Sequence, residues 1–111
     1  MQKTFGRVWL YNFEEKVNFI LLKKSFGANF RVRKNIGSIH SDEDYKTLDI
    51  LLDVLINNYQ TIQKSKVKHI GILINITYQK QANWNVSREQ MNKLSFLNAV
   101  LCVTAYEASD E

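Results

Sequence analysis

Apolar positions recur at two periods along this chain, and the longest repeat is helical. Tyr45, Leu48, Leu51, Leu52, Leu55, Ile56, Tyr59 and Ile62 follow the three- and four-residue spacing of one helix face. That spacing predicts a helix from Ser41 to Gln63 with this stripe turned to a core. Ser41 is placed to cap it, and Ser41-x-x-Asp44 is an acidic variant of the capping box. Asp42, Glu43 and Asp44 complement the positive helix end. Ser87-x-x-Gln90 is a second capping box, opening a helix whose buried side holds Met91, Leu94 and Leu97 and which Asn98 stops.

The rest of the pattern alternates. Phe5 to Phe13 places Phe5, Arg7, Trp9 and Tyr11 on one face and Gly6, Val8 and Leu10 on the other. After the polar break Glu14-Glu15-Lys16, Val17 to Leu22 reads as a second strand, plausible in a hairpin with the first. Ser25-Phe26-Gly27 is a turn, and Phe30 to Lys34 a short third strand with Arg31 and Arg33 on one face. Val67 to Tyr78 sets Ile70, Ile72, Ile74, Ile76 and Tyr78 on one side and a half-polar row on the other, so one side packs under helices and the other stays partly open. Gln79 to Val86 is a loop, and Ala99 to Tyr106 is apolar on both faces, as expected of a central strand. The predicted order is β-β-β-α-β-α-β. It gives an α+β fold, a two-layer sandwich with a mixed sheet of about five strands and two helices on one face, in one domain spanning 1–111.

Composition narrows the classes. At 111 residues with 45% hydrophobic and 23% charged side chains, the chain has enough apolar content for one core, which excludes intrinsic disorder. It lacks proline and contains only Gly6, Gly27, Gly37 and Gly71, so no flexible linker is expected. No signal peptide or membrane-spanning run is visible, which points to a cytoplasmic protein without membrane association. The one cysteine, Cys102, lies in an apolar run and is expected to be a buried thiol in a reducing compartment.

Charge is unevenly placed. Residues 1–40 carry eight Lys/Arg against two Glu, whereas 41–60 carry five acids against Lys46 alone, inside a chain of net charge +4. On the long helix Asp42, Asp49, Asp53 and Lys46 form a strip beside the apolar stripe, and Ile50 and Val54 fall outside that stripe on the side expected to face solvent. Acids that steer beside apolar groups that anchor have the makeup of a protein-recognition surface. The plainer alternative is a solvated helix face.

From Ser41 onward the pattern resembles a family of small uncharacterised bacterial domains. The resemblance rests on the amphipathic helix Tyr45 to Ile62, the strand Ile70 to Tyr78, the loop Asn83-Trp84-Asn85-Val86-Ser87, the short helix Met91 to Leu97 and the closing strand Val100 to Tyr106. It covers about the last two thirds of the chain and implies the α+β fold but no activity. The usual N-terminal strand, helix and basic-glycine segment of that family are not matched.

No catalytic chemistry is written in the spacing. His40, His69 and Cys102 are too scattered for a metal site, Glu14 and Glu15 are adjacent and solvated, and no phosphate loop or nucleophile motif is present. The chain is therefore expected to be no enzyme and to use no cofactor or metal. Trp84 sits in a polar loop, either as an exposed anchor or folded back over the sheet or second helix. Arg7, Trp9 and Tyr11 share one strand face and Arg31 and Arg33 another. On an open sheet the two sets would make a stacking platform for single-stranded nucleic acid, while the preferred reading puts Trp9 and Tyr11 in the core.

The leading expectation is a non-catalytic protein-binding domain, most concretely an immunity-type inhibitor that meets the basic cleft of a cognate toxin. Its partner-binding residues would be Asp42, Asp49, Ile50, Asp53, Val54 and Trp84. The alternative is a nucleic-acid-binding module using Arg7, Trp9, Tyr11, Arg31 and Arg33.

Overall fold

The computed structural model describes residues 2–42 and 46–108. Five strands, β1 (Lys3–Tyr11), β2 (Arg31–Arg33), β3 (Ile36–Ser41), β4 (His69–Tyr78) and β5 (Val100–Glu107), form one sheet in the order β2-β3-β1-β4-β5. β1 is antiparallel to both neighbours, β2 and β3 form a hairpin, and β4 runs parallel to β5. Among the described residues four α-helices connect them, α1 (Phe19–Phe26), α2 (Thr47–Asn57), α3 (Tyr59–Lys64) and α4 (Arg88–Leu97), with a 3-10 turn at Gly27–Asn29. The architecture is the α+β two-layer sandwich with a five-stranded mixed sheet.

The core lies between one sheet face and the helices. Val8 and Leu10 of β1 and Ile70, Ile72, Ile74 and Ile76 of β4 meet Leu48, Leu51, Leu52 and Leu55 of α2, with Leu22, Ile62 and Leu97 from the other helices. Gly6 permits that approach. A side-chain carbon there would come within 2.7 Å of Leu51 Cδ1, so any larger residue would push α2 off the sheet. Gly37 of β3 is covered in the same way by the Phe30 ring, whose Cζ lies 2.5 Å from where a Cβ would stand.

The element order departs from expectation in four places. Residues 17–22 do not form a strand: Phe19–Phe26 is α1, capped by the Asn18 side chain, which accepts from Leu21 N at 3.0 Å. The apolar run Phe19-Ile20-Leu21-Leu22 suits either element, and the cap with Lys23 and Lys24 in the last turn decides for helix. A strand, β3, was not anticipated. It is joined to β2 by the two-residue loop Lys34-Asn35 with φ of 51° and 64°, the positive pair that a type I′ hairpin needs.

The long helix is divided at Asn58, whose Nδ2 turns back to donate to Val54 O at 2.7 Å, giving α2 and α3. Ser41 ends β3 as a buried residue and does not open the helix, and its expected capping-box partner Asp44 lies outside the described residues. Finally, β5 is an edge strand and not a central one, exposed along nearly its whole length. Cys102 is accordingly an exposed thiol, not a buried one. On α4 the Ser87–Gln90 capping box is reciprocal, and Asn98 closes the helix in the left-handed region. Leu97 is buried there, but Met91 is 53% exposed and so not part of the core.

Candidate functional site

Pairing across the sheet assigns every odd-numbered residue of β1 to the face away from the helices. Lys3, Phe5, Arg7, Trp9 and Tyr11 stand opposite Thr77, Asn75, Leu73, Gly71 and His69 of β4. On the other side Arg7 pairs with His40 and Trp9 with Ser38, and Ser38 in turn pairs with Arg31. Arg33 shares the parity of Arg31 two residues on. Arg7, Trp9, Tyr11, Arg31 and Arg33, drawn from two separate strands, thus occupy one face. Trp9 and Tyr11 are half-buried on this open side and absent from the core, which corrects the preferred sequence reading.

Aromatic rings cluster here in two groups, some pairs stacked and some tilted, among exposed cations. Tyr11 stacks on His69 with centroids 5.1 Å apart, and Phe13 closes on both at 5.0 and 5.7 Å while itself 83% exposed. Phe5 stacks with His40 at 6.1 Å and lies 5.8 Å from the Arg7 guanidinium, a cation–π distance. The Trp9 indole lies over Gly71, where an added Cβ would meet Cε3 at 3.7 Å.

Lys3, Arg7, Arg31 and Arg33 are exposed, and no strand residue of this face is an acid among the described residues. The acids that follow β1 are taken up locally. Glu14 is held by Lys68, which pulls its carboxyl below the ordinary value, and Glu15 by Lys66 at 3.3 Å. The result is a broad cationic surface with aromatic faces between the charges.

The second predicted surface is assembled differently. Asp49 and Asp53 project from α2 toward α4, where Gln90 Nε2 donates to Asp49 Oδ1 at 2.8 Å and Lys93 Nζ to Asp53 Oδ1 at 2.9 Å. Lys93 also lies 3.5 Å from Glu89. Its ammonium is held above the ordinary lysine value chiefly by the hydrogen bond to Asp53. Asp49, Asp53 and Trp84 line one polar cleft of about 630 Å³ together with Asn83, Asn85, Glu89 and Lys93. Trp84 is half-buried and packs against the core, so it folds back and is not a free anchor.

The other members of the acidic set are dispersed. Asp42 is exposed and borders a different hollow, at the Lys3 end of the open face, with Phe5, Asn75, Thr77 and Tyr106. Ile50 and Val54 do not stand clear in solvent: both are half-buried, and Val54 packs on the core. His40, His69 and Phe13 join the open face without having been picked out for it. The alternation of Phe5 to Phe13 and of Val67 to Tyr78 already sets Phe13 and His69 on this side, whereas His40 reaches it only through the unanticipated β3. Compared with protein-family models, with curated proteins and with solved structures, the chain has no significant match in any of the three.

Proposed function

We propose that the open face of the sheet binds single-stranded nucleic acid, without catalysis. One observation carries the reading: Arg7, Trp9, Tyr11, Arg31 and Arg33 share a single uncovered face that also holds Phe5, Phe13, His40 and His69 and no carboxylate among its described strand residues. Same-face neighbours on a strand are about 7 Å apart and adjacent strands about 4.8 Å apart. Unstacked bases find ring faces at Trp9 and Tyr11, and the arginines reach phosphates from the β2 side. Stacking tolerates every base, so the binding is broad in sequence and strongly salt-dependent. The test is fluorescence anisotropy with labelled oligonucleotides, single- and double-stranded, across a salt series. Binding to single strands that weakens steeply with salt is expected, and no binding at low salt would end the proposal.

A second reading, recognition of a basic protein such as a toxin with a positive cleft, keeps one observation in its favour. Asp49, Asp53 and Trp84 border the same cleft between α2 and α4, and in each aspartate the hydrogen bond to α4 uses Oδ1, leaving Oδ2 outside it. Changing Asp49 and Asp53 to Lys should slow association with such a partner several-fold while sparing oligonucleotide binding, so the two readings separate in one pair of measurements.

A further inference from the structure

The two edges of the sheet are finished in opposite ways. At one edge β2 is three residues long and carries Arg31 and Arg33, a short charged strand of the kind that discourages pairing with another chain. At the other edge β5 runs eight residues, and from Val100 to Tyr106 it has no charge and no proline. Val100, Val103 and Tyr106 are 71%, 42% and 55% exposed, and Met91 of α4 adds 53%. Gln90 and Lys93 turn toward α2, so Met91, about 100° round the helix from Gln90 and about 160° from Lys93, lies on the flank away from it. Among the described residues β5 pairs only with β4, and its outer side presents its backbone donors and acceptors unpaired within the sheet.

We infer that this edge pairs with the β5 edge of a second copy, antiparallel about a two-fold axis through Val103. The run is complementary to its own inverse. With Val103 opposite Val103, Tyr106 faces Val100 and Cys102 faces Thr104 on the open side, and Leu101 faces Ala105 on the helix side. Each large side chain therefore meets a smaller one, as cross-strand packing favours. Glu107, the only charge on the strand, falls opposite Ala99, and the two Glu107 side chains stand at opposite ends of the seam. Self-pairing thus brings no like charges together. A two-fold axis normal to the sheet keeps both helix layers on one side, turning the uncovered Val103, Ala105 and Met91 of each copy toward the seam. Both open faces then lie on the other side of one continuous ten-stranded sheet. The dimer does not depend on what the open face binds.

Sedimentation equilibrium of the intact chain tests this, with Val103→Lys as the variant. The wild type is expected to sediment at twice its 13.0 kDa chain mass. Val103→Lys sets two ammonium groups face to face at the axis, and should weaken association by roughly 100-fold or more. Because Val103 is already partly exposed in one chain, the variant should keep a cooperative melt, checked by circular dichroism. A second measurement reads the register. V100C chains mixed with Y106C chains, both also carrying Cys102→Ser, should form a cross-linked pair on mild oxidation, since those positions face each other. A wild type that stays monomeric to its solubility limit overturns the inference. So does a folded Val103→Lys chain that remains dimeric, or a dimer in which the mixed pair fails to cross-link.

Discussion

The two faces of β1 are written by alternate residues of one nine-residue strand, yet they do opposite work. The inner row, Thr4, Gly6, Val8 and Leu10, is buried and small enough for α2 to lie directly on it. The outer row, Lys3, Phe5, Arg7, Trp9 and Tyr11, is the larger and more aromatic of the two and stays outside the core. Aromatic area alone would turn this strand over, but the outer row also carries Lys3 and Arg7. What decides its facing is steric: a helix packs closely on glycine and valine, whereas a row containing tryptophan, tyrosine and two cations would hold it away and strand the charges. Bulk aromatic surface left uncovered between arginines is then available for a ligand, and that is the basis of the proposed function.

The largest effect that tests this contrast belongs to the inner side. Leu52→Ala, at a fully buried position of α2, should cost about 2–5 kcal/mol of stability by leaving a cavity. Oligonucleotide affinity of the fraction that remains folded should not change. Chemical denaturation paired with anisotropy reads both quantities. A loss of affinity in the folded protein would mean that the two faces are not independent.

Trp9→Ala is the mirror experiment. It should weaken single-strand binding by about 1–3 kcal/mol, the worth of one stacked base, and destabilise the fold less than Leu52→Ala does. Unchanged affinity, with a loss of stability as large as that of Leu52→Ala, would return Trp9 to the core and remove the open-face proposal.

The fold was legible where a pattern was long or its chemistry local. Eleven residues of α2 carry enough turns for a period to show, and the ten of β4 enough alternations. The Ser87–Gln90 box and Asn98 act within one turn of themselves, so sequence alone placed α4 well. α1 was lost because four consecutive apolar residues have no period, and Asn18 and Gly27 at its ends were the cues to weigh. β3 was lost because its inward positions are Gly37, Ile39 and Ser41, so no apolar alternation announces it.

The position of β5 at the edge, and with it the exposure of Cys102, depends on strand order, which no local pattern encodes. The candidate site divides along the same line. Its residues were visible as two rows, Arg7-Trp9-Tyr11 and Arg31-Arg33, but only the registers of β1 with β3 and of β3 with β2 bring them onto one surface. The acidic residues were equally visible. The packing of α4 against α2, a tertiary event, gives Asp49 and Asp53 their partners.

A smaller effect sharpens the contrast between basic and acidic surfaces. Arg31 and Arg33 form no ion pair among the described residues, so their full charge is available to phosphates. Replacing both with Ala should reduce the magnitude of the slope of log K against log salt by about 1.4, two contacts at roughly 0.7 each for a single strand. An unchanged slope would place the phosphates elsewhere on the molecule.

The smallest effect concerns the acidic side, where charge is already spent on internal structure. Lys93 titrates above the ordinary lysine value of 10.5 because the folded chain holds its ammonium in a hydrogen bond with Asp53, with Glu89 adding to the attraction. A group whose folded value is raised contributes stability that is fully present below its unfolded value and disappears as pH rises through the folded one. Lys93→Met should therefore melt slightly below the wild type from neutral pH up to about pH 10, and the gap should close as the solution is taken above the ordinary lysine range. Added salt should narrow the gap at neutral pH as well, since the pair is on the surface. Thermal melts of the two chains over that range are the measurement. A gap that persists unchanged at high pH would show that the Lys93–Asp53 pair contributes little to stability, so that Asp53 could exchange Lys93 for an external cation at small cost. That outcome would strengthen the protein-recognition reading at the expense of the open sheet face.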